Sequence, residues 1–253
     1  MDRTYRIGQI VPSSNTTMET EIPAMLRGRE AMLPERFTFH SSRMRMKEVT
    51  AESLAAMDSE SDRCSVELSD AHVDVLGYAC LVAIMSAGPG YHRVSEKRLA
   101  ANTAENGAPA PVVTSAGALV NGLHLIGARK VVVIAPYLPA LTKVVVSYIE
   151  DEGVQVLDHV ALGVCDNLEV AAQDQRNLLG HARRLDRPDA DAIVLSACVQ
   201  MPSLDVVQEV EDELGKPVVT AAICTAHQMM RALGLPARAA NAGTLLGGDY
   251  ALA

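Results

Sequence analysis

Apolar positions along the chain follow two alternating periods. Short runs rich in Val, Ile and Leu predict strands at Tyr5–Val11, Arg36–Ser41, Val73–Ala79, Pro111–Thr114, Lys130–Ala135, Val154–Val160, Ala192–Ser196 and Pro217–Thr220. Longer stretches, with apolar residues three and four apart, predict helices over Ala51–Ser69, Ala116–Leu125, Pro139–Glu152, Leu168–Leu185, Ser203–Leu214 and Ala222–Leu233. Strands that alternate with helices imply βαβ units, parallel sheets and helices on both sheet faces.

The pattern also repeats. PVVTSAGALVNGLHLIG (Pro111–Gly127) and PVVTAAICTAHQMMRALG (Pro217–Gly234) share a strand tetrad, a small-residue helix entry and a glycine stop. Upstream, VDVLGYAC ends at Cys80 and DAIVLSAC at Cys198, and further upstream IVP ends at Pro12 and IAP at Pro136. The landmarks keep their order and nearly their spacing, with 68 positions from Pro12 to Cys80 and 62 from Pro136 to Cys198. Two similar α/β halves follow: residues 1–115 with 221–253, and 116–220, the C-terminal helix returning to complete the first. An active site is expected between them.

Composition narrows the function. About half of the 253 residues are apolar, with two Phe and no Trp, which suits helices packed on buried sheets. A net charge of −9 without a Lys/Arg block argues against nucleic acid as a partner. No apolar run is long enough for a membrane span, and the N-terminus lacks the apolar region of a secretory signal, so the expected location is the cytoplasm. Five cysteines, none in CxxC or CxxH spacing, point to reduced thiols rather than a disulfide framework or a zinc site.

Cys80 and Cys198 stand out because both close an apolar strand at matching points of the repeat. Parallel sheets bind ligands beyond the carboxyl ends of their strands, so a pseudo-twofold axis would face the two thiols across a crevice. Thiols on opposite sides of one carbon suit proton removal or attack at carbon, and amides at a strand-to-helix turn are expected to lower a thiol pKa. Cys64, Cys165 and Cys224 read as small apolar core residues. His227 has no counterpart in the first half and reads as a satisfied helix residue. Ala87–His92 lacks the spacing of a nucleotide loop, and the methionines read as gap-filling or lid residues.

Paired strand-terminal cysteines in duplicated α/β halves resemble the aspartate/glutamate racemase superfamily. Its amino-acid racemases carry Cys-Asn-Thr and Gly-Cys-Thr at the two positions, whereas this chain has ACLVA and SACVQMPS, which argues against an amino-acid substrate. With VPSSNTTME (Val11–Glu19), HSSRMRMKEVT (His40–Thr50), the APY ending at Tyr137 and the CDN ending at Asn167, nearly the whole chain is similar to the maleate cis-trans isomerase family. That resemblance implies cofactor-independent conversion of maleate to fumarate, with Cys80 as nucleophile and Cys198 as acid/base partner. It assigns Asn15, Tyr137 and Asn167 to the carboxylates of a small dicarboxylate substrate, and it implies a homodimer.

The repeat independently puts Asn15 and Tyr137 at the carboxyl edge, since each follows a strand-Pro landmark. A helix cap is the other role open to Asn15 and Asn167, and cover for a helix start the other role open to Tyr137. Ser14 and the backbone N–H groups of Leu81, Val82 and Val199 are further candidates for carboxylate oxygens. The segment His40–Thr50, carrying Arg43 and Arg45, is expected to act as a lid. The alternative within the superfamily is a cysteine-pair racemase or decarboxylase acting on a carbon acid α to a carboxylate. A two-lobed ligand-binding module is the alternative outside it, disfavoured by the paired thiols.

Overall fold

In the computed structural model, which describes residues 3–46 and 49–248, the parallel strands form two separate four-stranded sheets. The first runs in the order β2 (Arg36–Met44), β1 (Thr4–Pro12), β3 (Val75–Tyr78), β4 (Val112–Thr114), and the second in the order β6 (Gln155–Ala161), β5 (Lys130–Ala135), β7 (Ala192–Ser196), β8 (Val218–Thr220). The two orders are the same once the second half is renumbered from its own first strand, as duplication requires.

The repeated motifs do equivalent work in each half. Asp74 and Asp191 precede the cysteine-bearing strands β3 and β7; the Asp74 carboxylate accepts from Arg6 N–H, and that of Asp191 from Arg129 and Lys130 N–H. At the end of β4 the Thr114 hydroxyl accepts from Gly117 N–H at 3.1 Å, and at the end of β8 the Thr220 hydroxyl accepts from Ile223 N–H at 3.1 Å. Each PVVT threonine thus closes its strand and caps the helix that follows, α5 (Ser115–Leu125) or α10 (Ala221–Ala232).

These two helices pack against each other between the sheets. Gly122 of α5 makes the approach possible, since a Cβ there would lie 2.6 Å from Cys224 Sγ of α10. α10 also lies on the first sheet: a Cβ at Gly77 of β3 would meet Met229 at 2.9 Å, and α10 touches β4 and α1 (Met18–Glu30). On these contacts we propose the division 1–115 with 221–253 and 116–220, of which residues 1, 2, 47, 48 and 249–253 lie outside those described.

Expectation and structure differ in three places. β2 runs to Met44 rather than Ser41, paired with β1 to its end (Met44 beside Pro12). The helix expected over Leu168–Leu185 is two, α7 (Asn167–Ala171) and α8 (Asn177–Leu185), because the Asp174 side chain accepts from Arg176 N–H and turns the chain between them. Three helices beyond those expected are α1, α3 (Leu81–Ser86) and α4 (Tyr91–Glu105). Among the described residues no helix is long and apolar enough to cross a membrane.

Candidate active site

Cys80 sits two residues past β3, in the turn that starts α3, and its φ of 95° is left-handed. A side chain is strained in that region, and such strain concentrates at functional sites. Cys198 sits two residues past β7, but an irregular loop rather than a helix follows it, up to α9 (Leu204–Leu214). Both thiols line one small cavity, together with Asn15, Tyr137, Asn167 and Gln200. A wider cleft of about 580 Å³ beside α8 is lined by residues such as Asn177 and Arg183 and holds no thiol. The thiol-bearing cavity has about 10 Å³ of room, about one water. A four-carbon dicarboxylate therefore enters only if the walls move.

Both thiols resist ionisation here. Burial pushes Cys80 up to about 12, opposed by the Ala83 N–H, and the nearby Cys198 and Asp58 push it the same way as burial. Burial likewise raises Cys198, opposed by the Tyr137 hydroxyl and by the N–H groups of Gln200 and Met201. The expectation that helix amides lower these pKa values is thus corrected: the amides are present, but desolvation outweighs them.

The remaining expected residues divide into two groups. In the cavity wall, the Asn15 carbonyl oxygen Oδ1 accepts from Thr17 and Met18 N–H at 3.1 and 3.0 Å, so Asn15 holds the entry to α1, whose N-cap is Thr17, and leaves Nδ2 without an acceptor among the described residues. The Asn167 Nδ2 donates to Ser14 Oγ at 2.9 Å, which leaves it one further N–H. Asn167 does not cap α7, because Asp166 does so through Leu168 and Glu169 N–H. The Tyr137 hydroxyl donates to Ala197 O at 3.2 Å, and burial raises its pKa, keeping it a protonated donor. Val82 and Val199 are in the wall as well, whereas Leu81 and Ser14 stand behind it; the Ser14 hydroxyl donates to Met46 O.

The sequence profile of the arylmalonate decarboxylase family matches residues 7–246. A maleate isomerase of Pseudomonas putida is 62% identical over 250 residues, 99% of this chain and all of its own. The chain belongs to the maleate isomerases within that family. A crystal structure of the maleate isomerase Iso from Pseudomonas putida S16, a cysteine-to-alanine variant with maleate, is 58% identical and superposes with a TM-score of 0.97 over 98% of this chain and 99% of that one. A Nocardia farcinica maleate cis-trans isomerase, a cysteine-to-serine mutant with a covalently bound succinylcysteine intermediate, is 45% identical with a TM-score of 0.94 over 97% of this chain and 99% of that one.

In this maleate isomerase relative several expected details take another form. Arg43 does not reach over the cavity. It pairs with Glu19 and donates to Ser13 O and Asn15 O, bracing the Asn15 loop from outside. Of the expected lid, Ser41–Met44 is strand, Met46 and Val49 line the cavity, and Lys47 and Glu48 lie outside the described residues. Cys64 and Cys224 are buried, but Cys165 is exposed and so is not a core residue. His227 is buried, with Nε2 unpartnered among the described residues, and burial lowers its pKa to about 4, so the ring stays neutral; it is not the satisfied residue expected. Gln200, at the centre of the site, carried no signal beyond its place two residues after Cys198.

Proposed function

We propose that this enzyme converts maleate to fumarate at the cavity shared by Cys80 and Cys198. The observation that carries the reading is that two thiols from different halves and three positioned donors, Asn15, Tyr137 and Asn167, line one water-poor cavity. The cis diacid is the less stable isomer, and what prevents its relaxation is the carbon–carbon double bond. Cys80 Sγ, as thiolate, bonds to one alkene carbon while the π pair moves onto the neighbouring carbon and its carboxylate. The amides of Asn15 and Asn167 and the Tyr137 hydroxyl stabilise the charge that gathers on the carboxylate oxygens.

Cys198 then gives its proton to the carbanionic carbon, yielding a succinyl thioether whose central bond is single and rotates. Cys198 retrieves a proton from that carbon, the electron pair reforms the double bond, and Cys80 leaves as thiolate, so nothing is consumed. The succinylcysteine in the Nocardia farcinica relative, formed in a mutant that lacks one cysteine, supports a saturated thioether intermediate, because a succinyl group carries one more hydrogen on carbon than the addition alone supplies. Before attack the Cys80 thiol gives its proton to solvent, since Cys198 must keep its own for the next step, and the amide at Ala83 favours the resulting anion.

The same reading makes the enzyme cofactor-independent, cytoplasmic and homodimeric, on the family resemblance. Its direct test is to incubate the purified protein with maleate alone, after dialysis against EDTA, and follow fumarate by proton NMR. Fumarate should accumulate without any addition. No fumarate, or fumarate only after a metal or nucleotide is restored, rejects the reading.

A further inference from the structure

Among the described residues Gln200 makes more side-chain hydrogen bonds between the two halves than any other residue of the cavity wall. Its Oε1 accepts from Thr16 N–H at 2.9 Å and from Thr17 N–H at 3.3 Å. Its Nε2 donates to Ser14 O at 3.0 Å and to Asn167 O at 2.8 Å. The backbone joins in, since Gln200 N–H points to Cys198 Sγ at 3.4 Å and Gln200 O accepts from the Thr17 hydroxyl at 2.7 Å. The residue is 2% exposed.

A primary amide offers two N–H donors and one oxygen with two lone pairs. All four capacities of Gln200 are occupied by protein, so it has none left for a substrate although it lines the cavity. Its partners flank Asn15 on both sides and include the backbone of Asn167. We propose that Gln200 is a positioning residue that sets the separation of the Asn15 and Asn167 side-chain amides across the cleft, and thereby the fit to a dicarboxylate. The inference rests on the proposed isomerase reading and deepens it: Asn15 belongs to the first half and Asn167 to the second, so their spacing follows the relation of the halves, which this side chain holds at the site together with the bond from Asn167 Nδ2 to Ser14 Oγ.

Two variants test it. Gln200→Met has similar size and removes all four side-chain hydrogen bonds. With the fold intact by circular dichroism, KM for maleate should rise at least about tenfold, more than kcat falls. The rate of Cys80 alkylation without substrate should stay within about twofold of the wild type, since among the described residues no hydrogen bond joins Gln200 to Cys80 or its turn. An unchanged KM, or an altered Cys80 rate, overturns the proposal.

Gln200→Glu can still accept from Thr16 and Thr17 but sets carboxylate oxygen against the carbonyls of Ser14 and Asn167. Protonation restores one donor, so variant activity divided by wild-type activity should rise as pH falls from 8 to 6. A flat ratio overturns the proposal, and this variant decides the matter if Gln200→Met does not fold. Wild-type protein that makes no fumarate removes the isomerase reading and this inference together. Wild-type activity with normal Gln200 variants removes this inference alone.

Discussion

Ala79 and Ala197 hold matching places in the two halves: Ala79 N–H donates to Ile10 O and Ala197 N–H to Ile134 O, both at 2.9 Å. Each alanine is the last residue anchored to its central neighbouring strand, and a cysteine follows. The two strands are thus anchored by the same backbone device, once in each sheet, and the thiols beyond them differ in the turn that carries Cys80 and in what surrounds each. Cys80 meets the Ala83 amide of α3, while Cys198 meets a tyrosine hydroxyl and two backbone amides.

That difference predicts distinct mutant chemistry. Cys80→Ser should abolish turnover, because a serine hydroxyl does not ionise near neutral pH and adds poorly to an alkene. Cys198→Ser should be severely impaired yet still able to form the Cys80 adduct. Intact-protein mass spectrometry with maleate reads this out. Turnover by Cys80→Ser, or an adduct mapped to Cys198, reverses the assignment.

Tyr137→Phe removes one hydroxyl that is protonated, buried and placed beside Cys198. If that group donates to a charged oxygen during the reaction, its loss costs about 1.5–3 kcal/mol. Activity should fall at least about tenfold while the melting temperature stays close to that of the wild type. An unaltered rate returns Tyr137 to a packing role against Ala197.

Because burial pushes the Cys80 thiol up to about 12, the free enzyme holds it protonated at neutral pH. Alkylation of Cys80 by iodoacetamide should be slow at pH 7 and climb about tenfold per pH unit toward pH 9. Peptide mapping at several pH values separates it from the exposed Cys165. A plateau beginning near pH 8 means that the turn amides outweigh burial after all.

Glu21 of α1 reaches into the second half and accepts from Ser203 N–H at 2.6 Å and Leu204 N–H at 2.8 Å, and burial raises its pKa from 4.5 to about 6. A carboxyl raised in the folded state binds its proton more tightly there than in the unfolded chain. Its stabilising share is therefore present below pH 4.5 and is lost as pH rises through 6, an effect of about 2 kcal/mol. Glu21→Gln keeps an oxygen acceptor without the charge. In urea titrations its stability should exceed that of the wild type at pH 7 and approach it near pH 4.5. A constant difference across that range refutes the linkage.

Much of this architecture is readable from hydrophobic period, since the strands and most long helices present apolar stripes. The helices that escape it bury polar residues instead. α4 turns His92, Ser95, Leu99 and Thr103 inward, and α1 buries Glu21 and Arg29 beside its methionines. Periodicity is blind to a stripe of buried polar groups such as His92, whose ring meets the Tyr148 hydroxyl, and Glu21, which accepts from Ser203 and Leu204 N–H. The cysteine pair, Asn15 and Tyr137 are legible because the duplication marks their places. Gln200 is not, because its work is to satisfy backbone groups far away in sequence, which no local spacing encodes.

The left-handed backbone at Cys80 sets an asymmetry between the twin cysteines that thermodynamics alone can read. At position 80 a glycine relaxes where any Cβ is crowded, so Cys80→Gly should be more stable than Cys80→Ala, by about 1 kcal/mol. Position 198 has no such φ, and there alanine should be the better tolerated of the two by about 0.5–1 kcal/mol. This chain carries a side chain at the one of these two turns whose backbone would rest easier without it, so a change to glycine there gains stability and loses the thiol.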